Sequence, residues 1–403
     1  MLGGRRPAQN HRVRTPYPMT MPVTAPVDLR GLAELLSRHL YRSPDVYLRD
    51  LLRGAVDAVA ARRLLEPGLA GAVQIEVVEP LAGPPELVIT DNGIGLTGAE
   101  LVELLATVGG NSGRREALPH RARFARAALP SRRGRSELSR QRDHVGQFGV
   151  GLLACFLVAD EVTVITRSAK DPEARALRLR GGGTYEISPA ESALPIGTRV
   201  HLRARAGAEQ WLSREHVLGL ARRCGGLLSL PVRVGATQVN DETPPWELPA
   251  LTMDEQRENA LSYGRRVLGM EPLDAIPLHA DGVRGVAFVL PHEASPGQDR
   301  VHLRRMLLSE SADRLLPDWA DFVRCVIDVD DLCPTAARDG FVEDERMAAV
   351  REQLGRCIRD HLVDLARMWP SRLAGIAVLH HAALAVLAAH DEECRLLFAD
   401  WLR

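Results

Sequence analysis

The chain has 403 residues, 45% hydrophobic and 26% charged, with a formal net charge of −1. That length accommodates two or three domains, and the composition is that of an ordinary globular protein. Near-neutral charge removes any whole-molecule electrostatic reason to expect nucleic acid or an anionic membrane as a partner. Lys170 is the sole lysine, which reads as the base composition of the gene before it reads as chemistry. Six cysteines (Cys155, Cys224, Cys325, Cys333, Cys357 and Cys394) are scattered without a CxxC pair. Structural zinc and a disulfide framework are therefore not expected, and a reducing cytoplasm fits.

Residues 1–24 are rich in Pro, Arg and Gly and hold no apolar core of signal-peptide length, so they are expected to be disordered. Met19 and Met21 are alternative translation starts. Leu29, Leu32, Leu35, Leu36 and Leu40 recur at helical spacing behind Asp28, a plausible cap. A second helix is predicted from about Asp45 to Leu64, capped by Ser43 with Pro44 in its first turn. Within it, Asp50, Gly54 and Asp57 fall at i, i+4 and i+7 on one face, while Val46, Leu51, Ala55 and Ala58 can serve the core. A solvated acidic face has the same spacing.

VQIEVV (73–78) and ELVIT (86–90) read as strands. ITDNGIGLT (89–97) is a strand end followed by a turn with two glycines. An Asp held there can present a fixed acceptor, a geometry that suits the exocyclic amine of adenine, although Asp-Asn-Gly is favoured in β-turns anyway. The segment 111–144 holds ten Arg against two Glu between Arg114 and Arg142, with several Gly and Pro breakers. It reads as a long mobile loop, of the kind that is often a lid; its charge by itself favours a solvated basic loop. VGQFGVGLLACF (145–156) places Gly146, Gly149 and Gly151 where an apolar helix begins. Bare amides at a helix start attract anions, typically phosphate, yet a tight turn packed on a sheet would look alike. EVTVIT (161–166), a hairpin from Ala176 to Ile187, GTRVHLRA (197–204) and a helical pattern near Trp211–Leu228 complete an α+β layer of helices on a mostly antiparallel sheet.

NDETPPWELP (240–249) reads as a linker. Beyond it, a hairpin over 276–291 turning at Asp281–Gly282 is predicted, then strands over VHLRRMLL (301–308) and FVRCVIDV (322–329), then helices from about Val342 to Leu402. This accounts for a second, α/β domain. The apolar run Leu373–Ala389 is interrupted by His380 and His381 and falls short of a membrane span, so a buried helix is expected.

The order of helix with acidic face, DNGIGL (91–96), lid, GQFGVG (146–151) and then GT (197–198) after Ile196 resembles the ATP-binding domain of the heat-shock protein 90 chaperones. It lies within the superfamily shared with gyrase, mismatch-repair ATPases and histidine kinases. FLVADEVTVIT (156–166) points to the chaperone branch, and LRRMLLSESADRLLPDWADFVRCVIDVDDL (303–332) resembles the middle domain of the same family. That second match argues against a histidine kinase or a mismatch-repair protein. The resemblance implies a GHKL (Bergerat-type) ATP-binding domain over 25–239 with a lid at 111–144. A partial middle domain follows over 240–403, and the usual C-terminal dimerisation domain is missing from the chain.

By the same resemblance, Asp91 receives the adenine amine, Gly95 and Leu96 flank the base, and Thr198 supports this end through a polar network. Leu104 stands near the ribose, where the family often has a polar side chain. Asn111 and Ser112 fall at the lid hinge. Gly146, Gln147, Phe148, Gly149, Val150 and Gly151 form the phosphate loop, with Leu152 replacing the usual aromatic. CPTAARDGF (333–341) matches the loop that lends an Arg to the γ-phosphate, making Arg338 the candidate. Two departures stand out. The water-activating Glu is Asp50, shorter by about 1.5 Å, and the magnesium-contacting Asn is Gly54, where a water would have to substitute. The implied ligands are ATP or ADP with Mg2+, and the implied partners are client or unfolded proteins. A homodimer is implied only if a C-terminal region exists outside this chain; no nucleic acid or membrane partner is implied. The expectation is a chaperone with retained ATP binding and weak ATP hydrolysis, the alternative being a non-hydrolysing nucleotide-dependent scaffold.

Overall fold

The computed structural model describes residues 23–24, 43–109, 148–190, 194–249, 252–292, 299–310, 315–335 and 340–402. The predicted helix over 29–40, most of the N-terminal tail and the lid lie outside them. After a short strand β1 (Val23–Thr24), the first unit runs α1 (Val46–Leu65), β2 (Val73–Val78), β3 (Glu86–Asp91), α2 (Gly98–Gly109), α3 (Phe148–Cys155), β4 (Ala159–Arg167), β5 (Arg175–Arg180), β6 (Thr184–Pro189), β7 (Gly197–Ala204), α4 (Arg214–Gly225), β8 (Val232–Val234) and β9 (Thr237–Gln238). Its nine strands take the order β1-β6-β5-β4-β7-β3-β2-β8-β9. Every pairing is antiparallel except β2 with β8. This is the α+β sandwich that the alternation of apolar and polar residues predicts.

The inward residues of the sheet, among them Ile75, Leu87, Val162, Leu177 and Leu202, meet Leu48, Leu52, Ala55 and Val59 of α1 in one core. Full burial of each such side chain contributes about 1.5–3 kcal/mol. The start of α1 differs in detail from the expectation. The Ser43 hydroxyl accepts from the Asp45 amide at 3.3 Å, so it closes a turn ahead of the helix. Asp45 is drawn instead to His216 (2.8 Å) and Arg223 (3.2 Å) on α4, tying the two helices together.

The second unit begins with a helix that was not predicted from sequence, α5 (Met253–Leu268), opened by a reciprocal capping box between Thr252 and Glu255. β10 (Asp274–Ala280) and β11 (Val283–Val289) form the expected hairpin, with Gly282 at φ 72° in its turn. The run VHLRRMLL is a second hairpin where a single strand was expected: β12 (Arg300–Leu303) and β13 (Met306–Ser309) turn at Arg304 and Arg305, both left-handed at φ 51° and 67°. Two-residue hairpin turns of this hand normally use Asn or Gly. Here Arg305 is held by its amide donating to Asp328 Oδ1 (2.6 Å) and its guanidinium to Glu247 (2.6 Å), and the Arg304 guanidinium donates to the Asp330 carbonyl at 3.0 Å. β14 (Val323–Val329) is buried at every position, as a central strand covered on both faces must be. The sheet order is β10-β11-β14-β12-β13, with β12 and β14 parallel.

Three helices close the unit: α6 (Glu345–Met368), α7 (Pro370–His390) and α8 (Glu392–Leu397). α7 extends past both ends of the apolar run 373–389, so that, contrary to the expectation from sequence, it is long and apolar enough to cross a membrane by length and composition. It packs on the second core through Leu373, Ile376, Ala377, Leu384 and Leu387, and bends at His380, whose Nε2 lies 2.7 Å from the Leu290 carbonyl. The two units touch along β13: Met306 and Leu307 join the first core, and Arg49 of α1 donates to the Leu308 carbonyl at 3.3 Å.

One buried carboxylate organises the second unit. Asp274, at the start of β10, accepts from Arg257 of α5 at 2.7 Å, faces His361 of α6 at 3.2 Å, and accepts twice from Arg372 of α7 at 2.7 and 2.6 Å. Burial by itself would raise this carboxyl; His361, Arg257 and Arg372 outweigh it and hold the group far below the ordinary carboxylate range. Its folded value is depressed, so the stabilisation is present above the unfolded value near 4 and is lost as pH falls through the folded one. Asp274→Ala strands two arginines and a histidine without their acceptor. A loss of about 3–5 kcal/mol in urea unfolding at pH 7 is expected, followed by tryptophan fluorescence. The difference from the parent should shrink once pH drops below about 4.

Candidate functional site

The end of β3 meets β7 and β4 in one row. Asp91 pairs with Thr198 across the sheet, and Thr198 pairs with Thr166. The Thr166 hydroxyl accepts from the Leu96 amide at 2.9 Å, donates to the Gly197 carbonyl at 3.0 Å, and lies 3.1 Å from the Thr198 hydroxyl. Asp91 Oδ1 accepts from the Gly93 amide at 2.7 Å. Burial pushes the Asp91 carboxyl up to about 7, against the pull of amide hydrogen bonds from Gly93 and Thr198.

Two glycines make this packing feasible. Gly95, at φ 68°, passes so close to the Arg167 carbonyl that a Cβ would lie 2.1 Å from its oxygen. At Gly197 a Cβ would lie 2.1 Å from the Asp91 carbonyl oxygen. The loop is also tied to α1: the Ile94 amide donates to the Ala58 carbonyl at 3.0 Å, and Arg62 donates to the carbonyls of Asn92 (3.0 Å) and Ile196 (3.2 Å). Asn92 turns away, bridging Ala70 and Ala72.

α1 carries Asp50, Gly54 and Asp57 along its length, with Arg49 and Arg53 interleaved. Burial pushes the Asp50 carboxyl up, while Arg49, with Nε 3.6 Å from Oδ1, and Arg53 draw it back. The Asp50 charge also reaches the Cys155 thiol on α3, which places it beside the glycine-containing helix. Burial lowers the Arg53 guanidinium. Asp57 and Asp50 act to raise it, and Arg49 and Arg304 act against its charge. Gly54 is buried and offers no ligand atom. No group of three or more His, Cys, Asp or Glu side chains able to hold a metal occurs among the described residues.

The remaining expected residues are placed as follows. Phe148, Gly149, Val150 and Gly151 form the first turn of α3, and Leu152 is buried in the first core with Leu104 of α2. Leu96 is partly buried against the same core. Asn111, Ser112, Gly146, Gln147 and Arg338 lie outside the described residues. The Arg338 loop is closed at its base by the Thr335 amide donating to the Gly340 carbonyl at 3.0 Å. Two shallow surface clefts flank residues 209–213, one against Glu79 and Pro85, the other against Asp45, His216 and Arg223, and Asp91 borders neither.

Thr166, Arg62, Arg53 and the Arg304–Arg305 turn were not expected from sequence. Thr166 had one usable signal, since it falls on the strand that must lie next to Thr198. Among the described residues, Asp91 is a fixed acceptor at the end of β3, Leu96 packs at the edge of the first core, and α3 begins at Phe148.

Residues 41–181 match the family described as "Histidine kinase-, DNA gyrase B-, and HSP90-like ATPase". The chain is 28% identical over 360 residues to the chaperone protein HtpG of Oleidesulfovibrio alaskensis, covering 84% of this chain and 54% of that protein. It is 27% identical over 402 residues to HtpG of Nitratidesulfovibrio vulgaris (93% and 60%), and 30% identical over 364 residues to HtpG of Mesorhizobium japonicum (84% and 55%). It thus spans a little over half the length of these curated relatives. Each alignment is too long to be confined to the first unit, so the likeness extends into the second sheet and its helices as well. Residues 41–181 thus match a GHKL-type ATPase domain, and the chain as a whole is similar to bacterial chaperones of the heat-shock protein 90 type.

Proposed function

We propose that the chain binds ATP and hydrolyses it slowly, coupling the cycle to closure on unfolded or client protein in the cytoplasm. The carrying observation is the Asp91 acceptor, braced through Thr166 and Thr198 and approached closely by Gly95 and Gly197. In this reading Asp91 accepts the adenine amine, Leu96 lies against the base, and the amides of 146–151 take the phosphates. Residues 25–239 form the nucleotide domain with its lid at 111–144, and 240–403 form part of a middle domain whose Arg338 acts on the γ-phosphate. Asp50 is the group that orients and deprotonates the attacking water. Its short side chain stops about 1.5 Å before the position a Glu would reach, and misplacement of that order costs roughly a hundredfold in rate. A non-hydrolysing scaffold is the less favoured reading, because the relatives that match across both sheets are named as chaperones.

The acceptor role fixes a pH dependence. A protonated Asp91 presents a hydrogen where the ligand also presents one, so affinity should rise with pH, by at most tenfold per unit, and level off near 7. Calorimetric titration with ATP and ADP from about pH 5.5 to 8.5 checks this, and Asp91→Asn should lose at least about a hundredfold in affinity, roughly 2.7 kcal/mol. The sign for stability is opposite. A carboxyl raised on folding binds its proton more tightly in the native state, so its contribution falls as pH rises from about 4 to 7. Asp91→Asn should therefore melt higher than the parent at pH 8 without ligand, by about 2–4 °C per kcal/mol relieved.

Phosphate release tests Asp50 separately. Asp50→Glu is expected to raise turnover by about a hundredfold, the same factor that the shorter side chain costs, and Asp50→Asn should abolish it with nucleotide affinity unchanged. A parent rate already as fast as that of Asp50→Glu would refute the reach account.

A further inference from the structure

Arg62, near the end of α1, joins the two loops just past the end of the β3–β7 ladder. Its Nη1 donates to the Asn92 carbonyl at 3.0 Å and to the Ile196 carbonyl at 3.2 Å. Asn92 directly follows Asp91, and Ile196 directly precedes Gly197. One nitrogen therefore spans the two chains immediately outside the Asp91–Thr198 pair. The rest of the guanidinium is fixed from the other side. Nε and Nη2 donate to the two carboxylate oxygens of Glu66, one turn on, at 3.2 and 3.1 Å. A planar fork held by a bidentate partner gives its remaining donors a set direction. The side chain is only 13% exposed, so water competes little for these bonds. One turn earlier on the same helix face, the Ala58 carbonyl accepts from the Ile94 amide at 3.0 Å. The helix thus holds the loop after Asp91 at two points. Gly197 packs so closely on the Asp91 carbonyl oxygen, where a Cβ would lie 2.1 Å away, that a shift of either loop must move the other.

We infer that Arg62 is a positioning residue: its clamp on the Asn92 and Ile196 carbonyls fixes where Asp91 presents its acceptor, and so sets the preference of the site for a 6-aminopurine over a 6-oxopurine. This rests on the nucleotide-binding reading above and deepens it. Arg62 touches no ligand; it acts through the backbone on either side of the Asp91–Thr198 pair. An acceptor in a fixed place rewards an amino group, which donates, and penalises a carbonyl, which brings a second acceptor against the carboxylate. Without the guanidinium, two carbonyls lose their donor and the loop gains a reason to move towards water. A carboxylate that is free to retreat gives up its bond to the aminopurine and relieves its conflict with the oxopurine. Both changes narrow the preference.

The test is calorimetric titration of the full chain with ATP and ITP at about pH 8, where the Asp91 carboxyl is ionised. ITP carries a carbonyl where ATP carries the purine amine. The parent should prefer ATP by at least about thirtyfold. Arg62→Met keeps the bulk of the stem but none of the donors. It should weaken ATP by about tenfold, the loss expected when a charge-assisted bond goes unmade, and leave ITP within about threefold. The ATP-to-ITP preference then shrinks by at least about threefold. A merely structural role, by lowering the folded fraction, would weaken both nucleotides by the same factor and leave their ratio alone. Circular dichroism and urea unfolding show whether the Met variant is folded at the titration temperature. If it is not, Glu66→Ala, at an exposed position that orients the fork, carries the test with the same narrowing expected. A folded variant that keeps the parent's ATP-to-ITP ratio overturns this inference and leaves the nucleotide site standing. A parent that binds the two nucleotides alike, or binds neither, overturns the acceptor reading of Asp91 and this inference with it.

Discussion

The first unit depends on a carboxylate placed where water is scarce. Asp91 closes a central strand, and its neighbours spend a threonine pair, two close-approach glycines and an arginine clamp on holding the loop that follows it. A buried acid that is left without a cationic partner is destabilising in a resting fold. Its position makes sense if something else supplies the missing donor. The same feature that weakens the empty domain therefore gives a ligand its hold.

The second unit solves the opposite problem. Asp274 is almost wholly buried, yet it is surrounded by Arg257, His361 and Arg372, and it gathers α5, α6 and α7 onto the start of β10. One chain thus holds two buried aspartates with opposite shifts: burial dominates at Asp91, and paired charges dominate at Asp274. The first is built for exchange with an outside molecule, and the second for permanence.

Much of the strand framework was legible because alternation is a local signal. GTRVHLRA became β7 with the expected ends, and the 176–187 hairpin lies within β5 and β6. What sequence reasoning missed depends on distance or on unusual chemistry. α5 buries only a narrow stripe, Ala260, Leu261, Tyr263 and Gly264, so its periodicity is faint and only the Thr252–Glu255 box announces it. The β12–β13 turn was hidden because two arginines occupy backbone positions that glycine or asparagine usually fill. Asp274 is invisible to any window, since its partners lie 17, 87 and 98 residues away. Of the candidate site, the adenine-side residues were readable from the DNGIG turn. Thr166 and Arg53 needed the sheet register and the neighbours of α1 before they meant anything.

Because β13 lends Met306 and Leu307 to the core beneath α1, and α1 returns a hydrogen bond to Leu308, the sheet edge behaves as a latch. Swinging one unit away from the other means lifting two apolar side chains into solvent, at about 1.5–3 kcal/mol each. That is comparable to the coupling free energies with which sites on one protein commonly influence each other. A rearrangement driven from either side must therefore keep this seam as its pivot or supply enough free energy to open it, and substitutions at Met306 or Leu307 would tune that threshold without touching the pocket.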